Sequence, residues 1–169
     1  MATKIFLFGI DRAGKTSLSN TIKENKTSGE TRPTIAFVIS NMMIDDIDFQ
    51  VWDAPGQRNF RKMWKNGFNK AQLLLFILDM SDKERFIEAK TELDSVLNDL
   101  ETRGIPLVFC FHKIDVEGAR ANLNEARAVF KIPLIQERKV FLLETSINDM
   151  QSITQLKNTI TSFIAASRN

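Results

Sequence analysis

Six short apolar runs alternate with stretches of helical periodicity along the whole chain, and that alternation narrows the fold more than any other feature. Ile5-Phe6-Leu7-Phe8 ends at Gly9, and Leu73 to Leu78, Pro106 to Phe111 and Val140 to Leu143 repeat the pattern. Runs this short and continuous suit strands buried on both faces. Ile35 to Ile44 and Ile47 to Trp52 are two further strands, joined by the turn residues Asp45-Asp46. Between these runs lie the helical segments. Gly14 to Lys23 is one, and Phe60, Met63, Trp64 and Phe68 recur at helical spacing in the next. Ser81-Asp82-Lys83-Glu84 matches a capping box, with Ser81 at the N-cap. Behind it Phe86, Leu93, Val96, Leu97 and Leu100 keep a helical period until Gly104. Gly118 to Phe130 is helical, and the last helix carries Ile153, Leu156, Ile160, Phe163 and Ile164 on one face. The order β-α-β-β-α-β-α-β-α-β-α predicts an α/β fold: a six-stranded, mostly parallel sheet with one antiparallel edge strand and helices on both faces. Ligands of such sheets lie beyond the carboxyl ends of the strands, here just after Phe8, Trp52, Leu78, Phe111 and Leu143.

The 169 residues predict a single domain spanning 1–169. Lys+Arg number 23 against 21 Asp+Glu, a balance that argues against nucleic acid as a partner. Cys110 is the one cysteine, which excludes an intrachain disulfide, and the single His112 excludes a multi-histidine metal site. Apolar runs stop far short of the roughly 20 residues a spanning helix needs. The start at Met1-Ala2-Thr3-Lys4 leaves no room for a signal peptide and offers no myristoylation glycine. The end, Ser167-Arg168-Asn169, has no prenylation cysteine. The expectation is a cytoplasmic protein without an intrinsic membrane anchor, with peripheral recruitment through partners.

Gly9-Ile10-Asp11-Arg12-Ala13-Gly14-Lys15-Thr16 fits G-x-x-x-x-G-K-[ST] after a strand and before a helix. Backbone N–H groups of such a loop and of the helix start converge on a dense anion such as a polyphosphate. Lys15 is placed to reach the β- and γ-phosphates, and the Thr16 hydroxyl to ligate Mg²⁺. Further along, Val51-Trp52-Asp53-Ala54-Pro55-Gly56-Gln57 follows the third strand. Asp53 can hold Mg²⁺ through a water, the Gly56 N–H can meet a γ-phosphate, and Gln57 can orient an attacking water. Thr34 in Arg32-Pro33-Thr34-Ile35 offers a second hydroxyl to the metal. After the fifth strand, the Asp115 carboxylate can accept from guanine N1–H and N2–H₂, a donor pair adenine lacks; as a buried group it would reject adenine. Lys113 can lay its stem along the base, and Ser146-Ile147 can supply an N–H to guanine O6.

Together these segments resemble the Ras superfamily of small GTPases, most closely its Arf/Arl/Sar branch. The likeness rests on Gly9 to Thr16, on Arg32-Pro33-Thr34-Ile35-Ala36-Phe37, on Trp52 to Gln57 and on Leu78-Asp79-Met80-Ser81-Asp82-Lys83-Glu84-Arg85-Phe86. It implies a P-loop NTPase G domain that binds GTP and GDP and hydrolyses GTP with Mg²⁺. The catalytic set is Gln57, Lys15 and Thr34, and the metal set Thr16, Thr34 and Asp53. The nucleotide-binding set is Asp11, Arg12, Ala13, Gly14, Lys15, Thr16, Ser17, Thr34, Gly56, His112, Lys113, Asp115, Ser146 and Ile147. Slow unaided turnover, an exchange factor, an activating protein and effector proteins come with that reading. The alternative is a nucleotide-dependent binding module of Rag type with little turnover. His112 stands where the base motif usually has Asn, and with Thr145-Ser146-Ile147 it is similar to the Rag GTPases. Pro55 replaces a small residue before Gly56. Phe37 and Trp52 match two members of the Arf aromatic triad, whose third position is Gly67, so a different effector is expected. Two side chains keep two readings each: Trp64 packs in the core or faces an effector, and Arg12 is a surface charge or an internal arginine near phosphate. Asp11, by its motif position, lies near the γ-phosphate, where it would crowd an incoming arginine.

Overall fold

The computed structural model describes residues 1–29 and 31–167, so Arg168 and Asn169 lie outside the described residues. The chain runs β1 (Thr3–Phe8), α1 (Lys15–Glu24), β2 (Val38–Ile44), β3 (Ile47–Asp53), α2 (Trp64–Phe68), β4 (Leu73–Asp79), α3 (Phe86–Leu97), β5 (Leu107–His112), α4 (Leu123–Phe130), β6 (Val140–Thr145) and α5 (Met150–Ser167). The strands form one sheet in the order β2-β3-β1-β4-β5-β6. β2 pairs antiparallel with β3, and every other neighbouring pair is parallel. This is the predicted architecture. The hairpin turn falls on Asp45 and Asp46, with φ of 49° and 60°. Two successive left-handed residues match the right-handed twist of the flanking strands, and Asp tolerates that conformation.

Two-residue periodicity divides the interior into two layers. Phe6, Phe8, Leu74, Phe76, Phe109 and Phe111 face α2, α3 and α4, where Trp64, Phe68, Phe86, Leu93 and Phe130 meet them. The rings of Phe8 and Phe76, Phe76 and Phe109, and Phe109 and Phe130 stand 5.2, 5.1 and 5.1 Å apart. The intervening residues Ile5, Leu7, Leu73, Leu75, Ile77, Val108 and Cys110 face α1 and α5. The five apolar positions predicted on the last helix are all buried there. Cys110 is fully buried, and burial pushes its thiol up to about 12, so it behaves as a small hydrophobe.

Four local expectations fail, each for a physical reason. β2 starts at Val38 rather than Ile35, because Ile35 and Ala36 are exposed and unpaired with β3. Ser81 caps no helix: its hydroxyl and N–H both donate to the Asp79 carboxylate, at 2.6 and 2.9 Å. A 3-10 turn over Lys83–Arg85 then leads into α3 at Phe86. Leu100 leaves the helical face and is 83% exposed, since α3 stops at Leu97 and Asp99 caps the next turn by accepting from Glu101 N–H. Gly118 sits at φ 80° outside any helix, and α4 begins only at Leu123.

Candidate functional site

Register carries the carboxyl ends of the five parallel strands to one edge. Leu7 lies beside Asp53, Phe8 beside Phe76, Asp79 beside His112, and His112 beside Thr145. At that edge the loop after β1 wraps toward α1. A Cβ on Gly9 would sit 2.5 Å from the Ile77 carbonyl oxygen, so β4 itself leaves no room for a side chain. Gly14 takes φ 95°, and a Cβ there would come within about 3 Å of the His112 ring. α1 starts without a side-chain cap and without an acidic residue in its first turn. Its first N–H groups are therefore free to meet an anion.

Lys15 is 7% exposed and donates from Nζ to Ile10 O at 2.9 Å. Burial lowers its ammonium to about 8, although Asp53 and Asp11 pull the other way. The Thr16 hydroxyl donates to Asp53 Oδ2 at 2.5 Å and lies 3.0 Å from Thr34 Oγ1. Thr34 belongs to the loop between α1 and β2, so two distant hydroxyls and a carboxylate converge. Asp53 is 2% exposed, and burial raises its carboxyl despite the Thr16 hydrogen bond and the Lys15 charge. Its Oδ1 is buried without a hydrogen-bond partner. An orphaned carboxylate oxygen beside two hydroxyls is a donor set that fits a hydrated Mg²⁺.

A cleft of about 650 Å³ opens over these groups, lined by Asp11, Arg12, Gly14, Lys15, Thr16, Ser17, Thr31, Arg32, Pro33, Thr34, Gly56, Gln57 and Lys113. Most of the predicted phosphate and metal residues thus share one cavity. Ala13 does not line it: its side chain is fully buried in the layer under α1. Lys113 spans from β5 to the loop, donating from Nζ to Arg12 O at 2.6 Å and to Asp79 Oδ2 at 2.7 Å. Next to it a second hollow of about 380 Å³ is lined by Ile114, Asp115, Val116, Gly118, Arg120, Ala121, Ser146 and Asp149. Asp115 is exposed there, not buried as expected, and accepts from Asn148 Nδ2 at 2.9 Å. That hydrogen bond holds its carboxyl below the usual range, so it is ionised at neutral pH. The Ser146 N–H is already given to Ser152 Oγ at 3.1 Å, which leaves Ile147 to supply an N–H from this turn. His112 is buried beneath Gly14 and lines neither cavity; its Nδ1 pairs with Thr145 Oγ1 at 2.8 Å.

Trp64, Arg12 and Asp11 each sit in a distinct setting. Trp64 is 3% exposed inside the aromatic layer, so it is core and faces no effector. Arg12 is exposed on the wall of the cleft, and its carbonyl accepts from Lys113 Nζ. Asp11 lines the cleft, and its Oδ1 accepts from Arg85 at 2.7 Å and from Arg61 at 3.1 Å. Burial opposes the charge on Asp11, but those guanidinium groups outweigh it and hold the carboxyl below its usual value.

The Arg61 network escaped the sequence reading. Its side chain is 4% exposed and pairs with Glu88 at 2.9 Å and Glu92 at 3.1 Å as well as Asp11, while Nε donates to Gly56 O at 2.7 Å. One signal was available: Arg61 lies three residues before Trp64 and seven before Phe68, on the apolar stripe, where a cation requires partners. The Gly67 position is also explained. A Cβ there would fall 2.4 Å from the Phe37 ring and 2.7 Å from Phe6, so Phe37 fills the space a side chain would take.

Residues 1–164 match the family model described as the ADP-ribosylation factor family. ADP-ribosylation factor-like protein 6 of Danio rerio is 36% identical over 118 residues, 68% of this chain and 63% of that protein. The Caenorhabditis briggsae protein of the same name is 36% identical over 118 residues, covering 68% and 62%. ADP-ribosylation factor-like protein 3 of Chlamydomonas reinhardtii is 30% identical over 135 residues, covering 80% and 75%. The aligned part thus spans a little under two thirds of the first two relatives' length. Among solved structures, the Arl6 (BBS3) small GTPase from Trypanosoma brucei with bound nucleotide analogue GppNp superposes with a TM-score of 0.81 at 18% identity, over 96% of this chain and 98% of that one. Fold, family model and relatives agree, and the chain belongs to the ADP-ribosylation factor family, within the small GTPases.

Proposed function

We propose that this chain is a single G domain acting as a guanine-nucleotide switch that hydrolyses GTP to GDP in the presence of Mg²⁺. The observation that carries the reading is the convergence of Thr34, Thr16 and Asp53, because it joins the α1–β2 loop to the phosphate site through groups suited to a hard cation. Thr16 and Thr34 would hold Mg²⁺ directly and Asp53 through water; when bound, the ion neutralises charge on the β- and γ-phosphates. Lys15 and the N–H groups of the loop and α1 stabilise the same phosphates. Gln57, at the rim of the cleft, positions the attacking water. Asp115 pairs with the base edge, Lys113 flanks the base, and Ile147 offers an N–H to its carbonyl.

Arg61 and Arg85 are tied to Asp11 and Glu88, and Arg12 and Arg32, which line the cleft, are exposed side chains, so we read none of the four as an internal arginine finger. Turnover is therefore slow until a partner supplies one, an addition typically worth about 10³–10⁵ in rate. An exchange factor, an activating protein and effectors follow from a switch of this kind. Among the described residues no helix is long and apolar enough to cross a membrane. We place the domain in the cytoplasm, reaching membranes through partners. The test is the nucleotide released on denaturing the purified protein, followed by single-turnover hydrolysis with and without Gln57→Leu. Bound GDP or GTP, and hydrolysis that Gln57→Leu abolishes, support the proposal. Hydrolysis absent even with partner extracts favours a binding module of Rag type, and bound adenine nucleotide overturns the base assignment.

A further inference from the structure

The segment after β3 is fixed one peptide unit at a time. The Ala54 N–H donates to Leu7 O of β1 at 2.9 Å. Pro55 has its φ set by the ring and no N–H to redirect it. The Pro55 carbonyl accepts from Trp64 Nε1 at 2.7 Å. The Gly56 carbonyl accepts from Arg61 Nε at 2.7 Å, and the Gln57 carbonyl from Phe60 N–H at 2.9 Å. Among the described residues no peptide bond is cis. In a planar trans unit the C=O and the next N–H point in opposite directions. A Pro55 carbonyl drawn toward Trp64 in the aromatic layer therefore turns the Gly56 N–H away from that layer. On that other side lies the cleft whose wall Gly56 helps to form. The fit there is close: a Cβ on Gly56 would lie 2.5 Å from Lys15 Nζ and 2.7 Å from the Asp11 nitrogen.

We infer that Trp64 is a positioning residue for the terminal phosphate, its indole N–H holding the Pro55–Gly56 peptide so that the Gly56 N–H is preset toward the γ-phosphate. The inference rests on the nucleotide reading above and adds a residue that touches no nucleotide. Trp64 is sealed in the core, and a buried indole N–H needs an acceptor. Here that acceptor is the carbonyl of the peptide that carries the Gly56 N–H.

Trp64→Phe keeps an aromatic ring and deletes the donor. Binding of a non-hydrolysable GTP analogue and of GDP is measured on wild type and variant with Mg²⁺ present. The expected result is GDP affinity within about twofold of wild type and GTP-analogue affinity reduced about tenfold, the scale of one weakened charge-assisted hydrogen bond. A general packing defect lowers both affinities together, and that outcome overturns the inference, as does no change in either. If Trp64→Phe does not fold, benzothienylalanine at position 64, which replaces the indole N–H by sulfur at nearly the same shape, is read in the same way. Failure of the wild-type protein to bind either nucleotide would instead remove the functional reading itself, which keeps the two failures apart.

Discussion

Lys15 is sealed between the phosphate cleft and the core, and its ammonium there faces a loss of solvation that two nearby carboxylates only partly offset. With its ammonium lowered to about 8, the empty site loses the proton as pH rises past that value. Nucleotide phosphates favour the charged form, so binding takes up a proton above about pH 8. GDP affinity should hold steady below that pH and then fall toward tenfold per pH unit, readable by titration from about pH 7 to about pH 9. His112 shows the opposite half of the same physics. Burial, assisted by the Lys113 charge, lowers its ring to about 4 from an ordinary 6.5. The unfolded chain protonates this group first, so its contribution is complete above about pH 6.5 and is lost as pH falls through 4. That is about 3 kcal/mol over the window, and His112→Asn should flatten this part of the acid limb in urea unfolding.

At the scale of elements, Arg61 ties the segment after β3 to the loop after β1 and to α3 through Asp11, Glu88 and Glu92. Arg85 closes the circuit by bonding Asp11 and Glu88. Its hydrogen bond, opposed by partial burial and helped by Arg61, holds the Glu88 carboxyl at about 2. Arg61→Ala leaves three carboxylates short of a buried cation and frees the Gly56 carbonyl. The partly exposed acids recover some solvation, so the expected cost is about 2–3 kcal/mol in urea unfolding. Amide exchange should quicken over residues 56–60. This network could not be read from the sequence because its members are scattered from position 11 to 92 and share no local pattern. The strands were legible because continuous burial leaves an unbroken apolar run, as in Leu73 to Leu78. Helix starts were less so. Ser81 carries a capping signature, yet Asp79 two residues earlier captures its hydroxyl, and a competition of that kind is settled only by geometry.

Across the whole molecule the candidate site was the most legible part, since the loop after β1, Asp53 and Asp115 each sit where a strand ends. What the sequence hid was which atoms are spoken for: the Ser146 N–H by Ser152, the Asp11 carboxylate by arginines, the Trp64 indole by a carbonyl. Expectations held where burial decides the structure and failed where neighbouring polar groups compete. The sheet separates a layer rich in aromatic rings from a mainly aliphatic one, with Phe109 in the first and Leu156 in the second. Phe109→Leu and Leu156→Ala should therefore add in a double mutant within about 0.5 kcal/mol, while Phe109→Leu with Phe76→Leu, whose rings touch, should couple by more, as denaturant titration would reveal. The two faces of the sheet in effect act as separate packing compartments back to back. Small substitutions under α1 and α5 therefore draw down the one stability that both faces share, while leaving the packing around Trp64 itself unaltered.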